Sequence, residues 1–299
     1  MRTRKLGNSD LHISELGFGC MSLPLEKEKA RRIIDTAIDA EINFFDTADL
    51  YDRGQNEQLL GELIHHKRQD IILSSKVGNV WNADGKTWHW DASKEHITQS
   101  IHDTLKRLKT DYLDFYQLHG GTLDDSFEEV VDAFETLKKQ GLIRAYGISS
   151  IRPNVLGATL PIGQFDGVMM QHSLLDRRPE EWFPFIQENG ASVITRGTVA
   201  KGLLTNDWQK RSSLEKGYVA YTPEQLYDTL TKLSVEHAQL LANALHYNLA
   251  HDAVASVIVG ASSADQLQQN IEAYHSNDML PLDYLKDVTK ADRYTDHRF

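Results

Sequence analysis

The sequence predicts a parallel α/β fold: a single (β/α)8 TIM barrel with an N-terminal β-hairpin and a C-terminal helical tail. Three observations lead there. Eight short apolar, strand-like runs alternate with stretches of helical periodicity, the pattern of a parallel sheet with crossover helices. Eight such units fit the roughly 250 residues that a closed barrel usually takes. No Pro/Gly-rich linker separates them, so residues 1–299 are expected to form one domain. An open doubly wound sheet is the alternative. It usually carries Gly-x-Gly-x-x-Gly after its first strand, and Gly17-Phe18-Gly19-Cys20 begins that way but lacks the third glycine.

Taken in order, residues 4–14 read as a hairpin around Gly-Asn-Ser-Asp that would plug one end of the barrel. The strand runs are 14–21, 42–48, 70–77, 112–119, 143–150, 165–171, 191–197 and 255–262. Helical spacing of apolar residues marks 25–41, where Ile33, Ile34, Ala37 and Ile38 share a face. It also marks 56–66, with Asn56 as a candidate N-cap, and a helix capped by Ser93 and running through Leu108. The stretch 124–141 begins acidic and ends basic, as a helix dipole prefers. Pro153 opens a short helical segment, and helices are further expected over 179–190, 223–233, 234–251, 263–274 and 281–292. Two long connections stand out. Residues 78–91 carry Trp81, Trp88 and Trp90, and 198–222 is irregular; loops of that length in a compact unit are often functional.

Composition narrows the function. Hydrophobic content of 40% is enough for a buried core. The net charge of −11 disfavours nucleic acid as a partner, because phosphate contacts need a basic surface. With a single cysteine no intrachain disulfide is possible, and Cys20, in an apolar run, is expected to be a buried small side chain. MRTRKLGNSD lacks an apolar signal core, and no run is long and apolar enough to span a bilayer. The expectation is a cytoplasmic protein without a membrane partner; oligomeric state stays open.

Four residues look chemically purposeful: Asp46 and Tyr51 in FFDTADLY, Lys76 in SSKVG and His119 in YQLHGG. Each has an ordinary explanation. A strand-end lysine is usually solvated, a histidine after an apolar run is usually a hydrogen-bonded core residue, an aspartate caps turns and a tyrosine packs at boundaries. Together, however, they fall at one structural phase of successive units. Strand C-termini meet at one face of a parallel barrel, so an acid, a phenol, an amine and an imidazole would converge there as a proton-transfer set. A metal-dependent hydrolase is the rival on His65, His66 and His119. Adjacent histidines point to different helix faces, though, and no carboxylate pairs with them at metal spacing.

These motifs, in this order, resemble the catalytic signatures of the aldo-keto reductase family, and the likeness runs from GFGCMSLP (17–24) to SADQLQQN (263–270). The resemblance implies NADP(H)-dependent reduction of a small-molecule carbonyl, aldehydes being the least hindered. Tyr51 would donate the proton, Lys76 and Asp46 would tune it, and His119 would orient the carbonyl. A free phenol, with pKa about 10, is a reluctant acid near neutrality, and a positive charge beside it eases loss of its proton. By the same resemblance Met21, Asp46, Ser149, Gln171, Arg196, Gly197, Thr198, Gly202, Gly260, Ser262, Gln266, Gln269 and Asn270 would hold the cofactor. Ser150 stands where many relatives have asparagine, and Arg196 where many have an aromatic; a planar guanidinium also stacks on a ring. Ser262, Ser263 and Gln266 are neutral where a basic grip on the 2′-phosphate is familiar, leaving hydroxyls, backbone N–H groups and a helix N-terminus. Trp81, Trp88 and Trp90 would either wall an apolar substrate pocket or clamp their loop to the barrel, with Met21, Tyr51 and Trp208 as further lining. The alternative under the same resemblance is a non-catalytic NADP(H)-binding sensor on the same barrel.

Overall fold

Alternating apolar and amphipathic runs do close on themselves. The computed structural model describes residues 1–234 and 239–298. An antiparallel hairpin, β1 (Thr3–Lys5) and β2 (His12–Ser14), leads in. Then come β3 (Leu16–Gly19), α1 (Lys27–Asp39), β4 (Phe44–Asp46), α2 (Gln55–Ile64) and β5 (Ile72–Val77). A second hairpin, β6 (Asn79–Trp81) and β7 (Trp88–Trp90), precedes α3 (Lys94–Leu108), β8 (Leu113–Leu118), α4 (Phe127–Lys139) and β9 (Ile143–Ser149). The chain continues through α5 (Pro153–Thr159), β10 (Gly167–Gln171), α6 (Phe183–Glu188), β11 (Ser192–Arg196), α7 (Pro223–Leu233) and α8 (Leu240–Leu249). It finishes with β12 (Val254–Val259), α9 (Ala264–His275) and α10 (Leu282–Val288). Strands β3, β4, β5, β8, β9, β10, β11 and β12 pair in parallel in that order, and β12 returns to β3 to close the barrel.

Closure buries strand residues on both faces. Outward side chains such as Leu73, Tyr116, Tyr146 and Val193 pack under the helices with Ile33, Leu60, Ile101 and Phe134. The inward set, Phe44, Phe115, Met169, Ile194 and Ala255, is completed by Leu6, Leu11 and Ile13 from the leading hairpin, which does plug the barrel. A third cluster gathers Leu203, Leu204, Trp208 and Tyr221 from the irregular segment with α7, α8 and α10. Cys20 is fully buried. Among the described residues no helix is long and apolar enough to cross a membrane.

Several local expectations need correction. Asn56 does not cap α2: that helix starts at Gln55 after a left-handed Gly54, and Asn56 is fully buried, accepting from Thr47 Oγ1 at 2.7 Å and donating to the Cys20 carbonyl at 2.8 Å. A polar residue before an apolar run reads as a cap, but here tertiary bonds claim its side chain. The tryptophan-bearing connection 78–91 folds into the β6–β7 hairpin. Tight turns over Arg178–Trp182 replace the first part of the expected helix 179–190. The helix expected over 234–251 is seen from Leu240, and 235–238 lie outside the described residues. The tail helix α10 packs beside α7 and α8. Ser93 caps α3 as expected, accepting from the His96 N–H.

Away from the site, Asp114 is buried between two guanidinium groups. Arg68 Nη2 is 2.8 Å from Oδ2 and Arg144 Nη1 is 2.9 Å from Oδ1, with both cations against the Tyr112 ring. Removing one partner of a buried pair strands the others. Asp114→Ala should therefore lower unfolding free energy by about 3–5 kcal/mol, read as a shifted midpoint in urea denaturation.

Candidate active site

The barrel register places the chemistry. Parallel pairing sets Asp46 opposite Ser74, and Lys76 opposite Gln117. Strand alternation points Ser74 and Lys76 to the same face. Lys76, 1% exposed, donates to Asp46 Oδ2 at 2.6 Å, to the Thr47 carbonyl at 2.7 Å and to Tyr51 Oη at 3.3 Å. The other Asp46 oxygen accepts from Ser74 Oγ at 3.0 Å and Gln117 Nε2 at 3.1 Å. Burial works against the Lys76 charge, but Asp46 and Tyr51 outweigh it and the ammonium's pKa is raised. His119 follows β8, its N–H donating to the Val77 carbonyl at 2.8 Å. Its ring meets that of Tyr51 edge to face, centroids 6.1 Å apart. Burial, then the charges of Lys76 and Arg196, lower the His119 pKa to about 3, so the imidazole is neutral at physiological pH.

Tyr51 sits on a loop, not a strand. Asp52 and Arg53 after it have φ of 47° and 56°, and Gly54 has φ of 80°. The left-handed region costs a non-glycine residue roughly 1–2 kcal/mol, so this turn is held from outside. A side chain at position 54 would meet Arg107, whose Cδ would lie 2.8 Å from its Cβ. Arg107 Nε in turn bonds Glu57 Oε2 at 2.6 Å, and Ser75 Oγ donates to Glu57 Oε1 at 2.5 Å.

These groups line a cavity of about 1130 Å³. Its lining contains Asp46, Tyr51, Lys76 and His119, then Met21, Ser149, Gln171, Arg196, Gly197, Thr198 and Gly202, and finally Gly260, Gln266, Gln269 and Asn270. Ser262 is not in the lining; its N–H and hydroxyl donate to Gln266 Oε1 at 2.8 and 3.1 Å. The tryptophans are absent too. Trp90 Nε1 donates to both Asp125 carboxylate oxygens, Trp81 Nε1 donates to the Leu50 carbonyl, Trp88 is half-exposed and Trp208 is buried in the third cluster. Residues that sequence reasoning passed over include Ser74 and Gln117, which complete Asp46, and Lys201 and Arg211, which line the cavity. Strand alternation could have flagged the first two. A signal for the others is the glycine between them: Ala200, Lys201 and Gly202 all have positive φ, and a Cβ on Gly202 would lie 2.6 Å from Arg211 Nε.

That cavity suits an extended anion. Arg196, Lys201 and Arg211 face it and make no ion pair among the described residues. Arg196 Nη1 has only a 3.5 Å contact with Gln171 Oε1, while Gln171 Nε2 donates to Asp176 at 2.9 Å. Thr198 Oγ1 is buried without a hydrogen-bond partner among the described residues. A group of possible metal ligands lies elsewhere: His172, Glu180 and His251 place ligand atoms within 4.8 Å of one another. Glu180 there already accepts from Arg177 at 3.0 and 3.1 Å, and from Tyr247 at 2.6 Å. His65 and His66 are remote from the cavity, in a separate depression lined by Arg68, Lys109 and Tyr112.

The closed barrel, with its titratable groups gathered at the strand ends, puts the chain among the (β/α)8 proteins. More narrowly, a model of the Aldo/keto reductase family matches residues 15–292, and the chain belongs to that family. It is 49% identical to an uncharacterized oxidoreductase, YqkF, of Bacillus subtilis, over 100% of both chains. It is 30% identical to L-galactose dehydrogenase of Arabidopsis thaliana, over 94% of this chain and 90% of that one. Among solved structures, the holo form of aldo-keto reductase AKR11C1 from Bacillus halodurans superposes with a TM-score of 0.95 at 48% identity, covering 100% of both.

Asp49, two residues before Tyr51, supplies a pH test. Burial, then the neighbouring Glu57 carboxylate, raises its pKa from 3.8 to about 8, and its Oδ1 is enclosed without a partner. Between those values the unfolded chain ionises this group while the folded chain keeps the proton. Stability should fall as pH rises through that window. Asp49→Asn should therefore melt a few degrees above the parent at pH 8, the gap closing toward pH 4, in thermal denaturation across pH.

Proposed function

We propose that this chain is an NADP(H)-dependent reductase of aldehydes or ketones, with Tyr51 as proton donor. The observation that carries the reading is the Lys76 ammonium bridging Asp46 and the Tyr51 hydroxyl in the wall of a large cavity. Bound reduced nicotinamide supplies hydride to the carbonyl carbon. Tyr51 then hands its proton to the carbonyl oxygen. Lys76 stands beside the phenol, where its positive charge eases that transfer, and Asp46 keeps the amine ionised and aimed. His119, uncharged, orients the carbonyl oxygen by hydrogen bonding. Ser149, Gln171 and Arg196 would hold the nicotinamide. Gly197, Thr198 and Gly202, with Lys201 and Arg211, would hold the pyrophosphate. Gly260, Gln266, Gln269 and Asn270 would receive the adenosine end. The start of α9 would meet its 2′-phosphate, since amide N–H groups at a helix N-terminus attract anions. Residues 1–299 act as one unit on a small carbonyl compound.

Positioned acid catalysis contributes roughly 10²–10⁴-fold. Tyr51→Phe should lose at least about a hundredfold in turnover of a simple aldehyde, with the dissociation constant of NADPH, read by its fluorescence, unchanged. Near-normal turnover would remove Tyr51 from the role. In the parent enzyme catalytic efficiency with NADPH should exceed that with NADH; a strong preference for NADH would overturn the cofactor assignment. Rapid mixing with aldehyde should oxidise bound NADPH, and binding without oxidation would favour the sensor reading.

A further inference from the structure

Tyr51 is the one member of the proton-transfer set carried by a turn that regular structure does not fix. Asp52, Arg53 and Gly54 follow it with positive φ, and such runs persist only where their surroundings over-determine them. From the helix layer, Asn56 of α2 ties the turn to Thr47 and to the Cys20 carbonyl, and Arg107 of α3 fills the space beside Gly54. A further contact comes from the β6–β7 hairpin. Trp81 Nε1 donates to the carbonyl of Leu50, the residue before Tyr51, at 3.2 Å. The Arg53 guanidinium stacks over the same indole, its carbon 5.3 Å from the ring centroid. Trp81 takes no part in lining the cavity.

The hairpin also reaches the main chain of His119. Asn79 Nδ2 donates to the His119 carbonyl at 3.2 Å. β6 begins two residues after Val77, so the strand that presents Lys76 runs on into the element that grips the main chain beside Tyr51 and at His119. Amine, phenol and imidazole are thus referenced to one continuous stretch of chain.

We infer that Trp81 is a positioning residue for Tyr51, acting through the Leu50 carbonyl and the stacked Arg53, and is not a wall of the substrate site. The inference rests on the reading of Tyr51 as proton donor. A misplacement of about 1 Å at a reacting group can cost on the order of a hundredfold in rate, so losing one of several restraints should cost less. Trp81→Phe keeps a ring under Arg53 and removes the N–H. It should lower kcat roughly five- to tenfold, leaving KM for the carbonyl and the dissociation constant of NADPH within about twofold. Arg53→Gln, which keeps the N–H bond and loses the stacked cation, should give a smaller fall in kcat of the same kind and serves if Trp81→Phe does not fold. A raised KM with kcat unchanged, or no change in either, overturns the inference. Tyr51→Phe is measured alongside: near-normal turnover there sinks the proton-donor reading itself. Collapse of Tyr51→Phe beside an unaffected Trp81→Phe sinks only the positioning role.

Discussion

The structure turns on one buried ion pair, Lys76 with Asp46. Taking an ammonium and a carboxylate out of water costs several kcal/mol per ion even after relaxation, and that penalty is offset only where the remaining donors and lone pairs are satisfied. Here they are: Asp46 accepts from Lys76, Ser74 and Gln117, and Lys76 also reaches the Thr47 carbonyl and Tyr51. These groups come from three neighbouring barrel strands and the turn after the first of them, so the pair is stable only in one register of β4, β5 and β8. A slip of one residue would drive Lys76 outward into the apolar layer beneath the helices. The geometry of the pair and the register of the barrel are therefore one constraint.

The second requirement is a turn that cannot hold itself. Of the runs of positive φ beside the cavity, the one after Tyr51 and the one at Ala200–Gly202 share a device. Each is braced by an arginine packed against its glycine, Arg107 at Gly54 and Arg211 at Gly202. Arg107 is tied through the buried Glu57 to Ser75 on the helix-facing side of β5, whereas Arg211 lines the cavity with no ion pair among the described residues. The same local device thus serves rigidity on one side of the cavity and leaves an available cation on the other.

What could be read in the sequence follows from the range of the forces involved. Strand ends are set by local runs of apolar residues, so Asp46, Lys76 and His119 could be placed at one rim from spacing alone, and the barrel with them. Asn56 was misread because its side-chain partners, Thr47 and Cys20, are supplied by folding. The tryptophans were ambiguous for a related reason. Where an indole points depends on the twist of a hairpin that 78–91 does not advertise, since Asn82–Thr87 carries the turn between two very short strands. Trp208 went to a core shared with α7 and α8, elements distant enough in sequence that no periodicity links them to it. Lys201 and Arg211 look like ordinary surface charges until the left-handed run folds both toward the cavity.

Overall charge is a poor guide to this cavity. The chain carries −11, yet Arg196, Lys201 and Arg211 face one space together with the Lys76–Asp46 pair and the carboxylates of Asp207 and Glu272. A cleft walled by low-dielectric protein focuses the field of the charges lining it, so those three cations count for more there than the net charge suggests. The same field reaches His119. After burial, Lys76 and Arg196 are what keep its imidazole uncharged. A neutral ring beside a phenol and an ammonium can hydrogen-bond a carbonyl oxygen without competing to become the acid. Under the proposed reading, the cations beside the phenol and the nicotinamide, Lys76 and Arg196, also keep His119 from becoming the acid and leave that part to Tyr51.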